Sequence, residues 1–141
     1  MNSYLLPILF SMLLFSTGAA LGSEDDKIVI ITTQHGDIVM ELFPKDAPNT
    51  VDSFYKLVES GFYDGIIFHR VIPGFMIQGG DPNTKQSDQS IWGQGNPGFS
   101  IDAEFNSISH LKGIVSMARS TDPNSAGSQF FIIHSDSTFL D

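Results

Sequence analysis

Residues 68–80, FHRVIPGFMIQGG, place one arginine and one histidine inside two runs that otherwise read as buried strand. Side chains alternate across a strand, so Phe68, Arg70 and Ile72 are expected on one face. Pro73-Gly74 interrupts the run, as such a pair does in a turn. In the second run Met76 and Gln78 share a face, with Phe75 and Ile77 on the other. The stretch thus reads as a hairpin carrying a cation, an amide and large apolar groups. Two readings of Arg70 stand at this point: the solvent side of an amphipathic strand, or a functional cation. The chain bears 16 Asp and Glu but only two arginines, Arg70 and Arg119, so positive charge is not general surface decoration here.

Outward from the hairpin, 27–33 (KIVIITT) is dense in β-branched residues, 38–43 alternates, and 34–37 joins them as a turn. Asn49 is expected to cap a helix over 50–60. In that helix Val51, Phe54, Leu57 and Val58 fall on one face, and Gly61 suits the C-terminal cap. A polar passage over 81–98 has no periodicity and reads as a loop with a role or considerable mobility. Strands are expected at 99–105, with Asp102 and Glu104 on one solvated face, at 113–117 and at 129–133. Seven short strands and one helix suit an antiparallel barrel better than a βαβ sheet.

The 141 residues suit one domain, and 41% hydrophobic content permits a sizeable core. A net charge of −9 argues against a nucleic-acid partner, which calls for a basic stripe. Absence of cysteine excludes disulfides, thiol catalysis and thiolate metal sites. The histidines, His35, His69, His110 and His134, lack ligand spacing, so no metal is expected. The first 22 residues carry no charged side chain, and 5–15 form an apolar block of signal-peptide length followed by small residues. They read as a cleaved signal peptide, with an uncleaved signal anchor as the alternative, which places the folded part, 23–141, outside the cytoplasm.

Residues 93–98 match G-x-G-x-x-G, but Pro97 removes a donor and no helix follows, which argues against a phosphate loop. Ser128 lacks the second glycine of a nucleophile elbow and reads as a structural serine at a strand start. Trp92 reads as local packing.

FHRVIPGFMIQGGD, together with SMARSTDPNSAGSQFFI at 116–132, resembles the cyclophilin family of peptidyl-prolyl cis-trans isomerases, over about 28–141. The resemblance implies a closed eight-stranded antiparallel β-barrel capped by helices. It also implies catalysis without cofactor or metal on Xaa-Pro bonds of unfolded or flexible polypeptides, by a monomer. Arg70 would hydrogen-bond the twisted prolyl amide, with Gln78 and Gln129 as polar partners orienting it and the substrate carbonyl. Phe75, Met76, Phe131 and Leu140 would line the proline pocket, and Ala118 and Arg119 would edge the peptide groove. His69 is read as a hydrogen-bonding residue nearby. A proline-peptide binding module without turnover is the alternative.

Two positions depart from the family pattern. Arg119 stands where many eukaryotic members carry asparagine. Phe139 stands where cyclosporin-sensitive members carry tryptophan, so weak cyclosporin binding is expected. The family continues past Asp141 with a turn, a pocket histidine, further strands and a helix. The 141 residues are therefore expected to lack the C-terminal strands and helix that close the barrel.

Overall fold

The computed structural model describes residues 27–141, so the segment read as a signal peptide or anchor lies outside the described residues. Among the described residues no helix is long and apolar enough to cross a membrane. Strands β1 (Lys27–Thr33) and β2 (Gly36–Leu42) pair antiparallel in a two-stranded sheet. Helix α1 (Pro48–Glu59) follows. Strands β3 (Arg70–Ile72), β4 (Met76–Gly79), β5 (Val115–Met117) and β6 (Phe130–Ile133) form a second sheet in the order β3-β4-β6-β5, all antiparallel.

These six strands do not close into the eight-stranded barrel that the resemblance implies for the family. A barrel requires each strand to be paired on both sides. Here β1 and β2 pair with one another, while β3 and β5 are the sheet's edges. The expected strand at 99–105 is also absent. Only Ile101 forms a bridge, to Ala126, and the rest of the segment is irregular.

That irregular segment supplies the cap of α1. Asn49 does not cap the helix; it lies in the first turn, and the methyl side chain of the N-cap residue Ala47 cannot accept a hydrogen bond. Glu104 does the work instead, accepting from the Asn49 N–H at 3.0 Å, the Thr50 N–H at 2.8 Å and Asn49 Nδ2 at 2.7 Å. A carboxylate suits this place because free N–H groups and the helix dipole both favour negative charge. Burial works to raise the Glu104 carboxyl, but the bonds from Thr50 and Asn49 outweigh it and hold it below the ordinary glutamate value of 4.5. A lowered folded value stabilises the fold fully above the ordinary value, and the effect disappears as pH falls through the lowered one. Glu104→Gln is accordingly expected to cost about 1 kcal/mol near neutrality, the usual worth of a cap. Urea midpoints of the two proteins should converge on acidification; a constant gap would refute this role of the charge.

The other end of α1 behaves as its sequence implies. Gly61 has φ +70°, with its N–H bonded to Val58 O and that of Phe62 to Leu57 O, a Schellman arrangement that favours glycine. The helix buries Val51, Phe54 and Leu57. Phe54 joins Val29, Met40 and Phe130 in the core between the two sheets.

Candidate active site

Register places the chemistry in one row. Arg70 pairs with Gln78, Gln78 with Phe131, and Phe131 with Ser116, so the row crosses β3, β4, β6 and β5 on one sheet face. Two residues along, Ile72, Met76 and Ile133 form a parallel apolar row. The adjacent residue Phe130 turns to the opposite face and into the core, as period-two alternation requires. The hairpin joining β3 to β4 turns at Pro73-Gly74, where Phe75 N–H bonds Ile72 O at 3.1 Å and Gly74 has φ +77°. This is the geometry in which proline then glycine is favoured. His134 Nε2 accepts from the Gly74 N–H at 3.0 Å and braces the turn.

Phe68 departs from expectation. The strand begins only at Arg70, so alternation does not extend back to Phe68, whose ring packs into the core 6.2 Å from that of Phe130.

Polar bonds fix the row in one orientation. Arg70 Nη1 donates to Gln78 Oε1 at 3.1 Å, and Gln78 Nε2 donates to Gln129 Oε1 at 3.0 Å. Gln129 Nε2 donates to Gly95 O at 2.8 Å and Gly93 O at 3.1 Å. Arg70 is exposed, whereas Met76 is 2% exposed.

Arg70, Phe75, Met76, Gln78, Ala118, Arg119, Phe131 and Leu140 all line one cavity of ≈ 920 Å³ that extends into the open interior between the sheets. The remaining expected residues stand apart from its walls. Gln129 lies behind Gln78, and its backbone O accepts from the Ala118 N–H at 2.9 Å. Phe139 is 75% exposed, with its ring 5.6 Å from that of Phe75. The Arg119 guanidinium sits 5.6 Å over the Phe105 ring.

His69 makes no hydrogen bond to the site row; its ring interacts with the Ile67 backbone. It lies on the side of Gly93. Burial foremost, with the Arg70 charge assisting, lowers its pKa below the ordinary 6.5 against the pull of Asp81. Arg70 is the permanently charged cation of this row.

Two wall residues were not anticipated as site residues. The His110 ring stacks on Phe131 at 6.3 Å and 10°, and its Nε2 lies 3.3 Å from Ser116 Oγ, while Nδ1 meets Asp141 Oδ1 at 2.8 Å. The bonds from His110, backbone N–H first, hold the Asp141 carboxyl below the usual carboxylate range. Ser116 was legible in principle, because alternation in β5 puts it opposite Phe131. His110 precedes any regular element and offered no periodic clue.

The polar passage over 81–98 is ordered by short turns at Pro82–Lys85 and Gln89–Ile91. Trp92 donates its indole N–H to Gln86 O within it. Gly93 and Gly95 of the G-x-G-x-x-G match turn their carbonyls to Gln129, and irregular chain follows the motif rather than a helix. Ser128 is buried and donates to Gly80 O at 2.7 Å, a structural role.

Known proteins share this arrangement of sequence and fold. Residues 28–141 match the family described as cyclophilin type peptidyl-prolyl cis-trans isomerase/CLD. A peptidyl-prolyl cis-trans isomerase of Synechococcus elongatus is 49% identical over 112 residues, which cover 79% of this chain and 72% of that protein. A probable peptidyl-prolyl cis-trans isomerase of Brucella suis is 43% identical over 126 residues, 86% of this chain and 64% of the relative. Among solved structures, a cyclophilin type isomerase of Cryptosporidium parvum, determined in the presence of the dipeptide Ala-Pro, superimposes with a TM-score of 0.73 at 38% identity. That match covers 82% of this chain and 72% of the other. With the site row, the fold and the family match in agreement over the same residues, the chain belongs to the cyclophilin-type peptidyl-prolyl cis-trans isomerases.

Proposed function

We propose that the protein accelerates rotation about Xaa-Pro bonds by a non-covalent route in which Arg70 donates to the twisted prolyl nitrogen. The peptide bond resists rotation because nitrogen shares its lone pair with the carbonyl, a barrier of about 18–20 kcal/mol. Twisting localises that lone pair and turns the nitrogen into an acceptor. A guanidinium is permanently charged and presents its donors in a rigid fork. One charged hydrogen bond formed only in the twisted state lowers the barrier by about 1.5–3 kcal/mol. The observation that carries the reading is the site row: the Arg70 guanidinium is bonded to Gln78 beside the slot lined by Phe75, Met76, Phe131 and Leu140. The slot would hold the proline ring, and Ala118 and Arg119 would border the incoming backbone.

The substrates proposed are proline-containing segments of unfolded or flexible polypeptides. The uncharged, leucine-rich residues 1–22 favour their being encountered outside the cytoplasm.

Exchange spectroscopy on an Ala-Pro tetrapeptide tests the reading. Catalytic protein should speed cis/trans exchange at substoichiometric concentration, and the peptide should shift signals of Phe131 and Met76 saturably. Saturable shifts with an unaccelerated exchange rate would favour the binding module instead.

A further inference from the structure

Asp81 is a carboxylate with no accessible surface, and it makes no direct bond to the site row. Its Oδ1 accepts from the Asn83 N–H at 2.8 Å, which closes the turn at Pro82–Lys85. Its Oδ2 accepts from the N–H of Gly93, which belongs to the far end of the polar passage. A Cβ on Gly95 would collide with Oδ1, so that backbone lies directly against the carboxylate. Asn83 Nδ2 donates to Ile91 O at 3.1 Å and draws the same two stretches together. The carboxylate thus locks residues 93–95 in place from behind.

The consequence reaches the cation through donor and acceptor identity. The carbonyls of Gly93 and Gly95 can only accept, so the Gln129 amide must present its NH₂ to them. Its oxygen is thereby turned to Gln78, which must answer with NH₂ and so present its own oxygen to Arg70. Reversing Gln129 would set its oxygen against the glycine carbonyls and its NH₂ against that of Gln78, and reversing Gln78 would set oxygen against the Gln129 oxygen and NH₂ against the guanidinium. Both losses are costly in a partly buried network.

We propose that Asp81 is a positioning residue for the isomerase reaction: by pinning residues 93–95 it sets the orientation of Gln129 and Gln78 and holds the Arg70 guanidinium ready for the prolyl amide. This rests on the proposed role of Arg70.

Asp81→Asn keeps the shape but leaves one oxygen for two backbone N–H donors, so it cannot hold the Asn83 turn and Gly93 together, which loosens the brace on residues 93–95. In the intact protein kcat for an Ala-Pro peptide is expected to fall about tenfold with KM changed less than about twofold, the loss of one oriented hydrogen bond. In a Gln129→Leu background the same substitution is expected to cause no further loss, because the relay is already cut. Losses that multiply, or an unchanged kcat in Asp81→Asn, overturn the proposal. Should Asp81→Asn not fold, Gln129→Glu decides, because a carboxylate cannot donate to the two glycine carbonyls. A lowered kcat with a mobile Arg70 Nε–H resonance supports the relay, and a rigid resonance with full kcat overturns it. Arg70→Ala run alongside separates the two claims: full activity there removes the role of Arg70 itself, whereas a collapse there beside an unaffected Asp81→Asn removes only the role of Asp81.

Discussion

Arg70→Ala is expected to lower kcat/KM for an Ala-Pro peptide by about ten- to a hundredfold, the equivalent of one charged hydrogen bond present only in the twisted state. The fold should survive, because Arg70 is exposed and its side chain is held by a single bond to Gln78. Such a bond at an exposed site contributes little to stability, so the thermal midpoint should move by no more than a few degrees. If Arg70 instead served to bind the ground-state peptide, KM would rise with kcat unchanged. Arg70→Lys discriminates further. Lysine keeps the charge but loses the planar fork, so it cannot bond Gln78 and the prolyl nitrogen with the same geometry. It should recover only part of the lost rate. Line-shape analysis of peptide exchange gives both constants, and a wild-type rate in Arg70→Ala would remove the mechanism proposed here.

Part of the row that carries this prediction was legible from two simple rules: alternation put Met76 and Gln78 on one face, and Pro73-Gly74 marked the turn. Phe131 was legible only through the family resemblance, and the pairing of Arg70 with Gln78 and the split between Phe130 and Phe131 are seen in the structure. Where either rule lacked its premise, the reading failed. Phe68 was assigned by alternation although the strand starts two residues later, and Asp102 and Glu104 alternate convincingly in a segment with no partner strand beyond one bridge. Glu104 answers to helix donors 54 and 55 residues away in sequence, which no local pattern encodes. The same holds for Asp81 and Gly93, twelve residues apart with no regular element to relate them.

The split between Phe130 and Phe131 gives the second large effect, and it separates folding from function within one dipeptide. Phe130 is 5% exposed, and its ring meets Phe54, Tyr63 and Phe68 edge-on at centroid distances of 5.6, 5.9 and 6.2 Å. Tyr63 is itself tied down by its hydroxyl donating to Ser128 O at 3.0 Å, which limits how far the cluster can relax to fill a void. Phe130→Ala is therefore expected to cost about 3–5 kcal/mol, the range for a buried phenylalanine that leaves a cavity. That is a large part of the roughly 5–15 kcal/mol that holds a domain folded. Phe131→Ala removes a ring that lines the cavity and touches the half-buried His110, where solvent or neighbouring side chains can occupy the space. Its stability loss should be less than half as large, while kcat/KM falls through lost contact with the proline ring. Urea denaturation and peptide exchange measured on both variants decide the matter. Equal destabilisation by the two substitutions, or full activity in Phe131→Ala, would mean that the sheet does not divide its two faces between core and site.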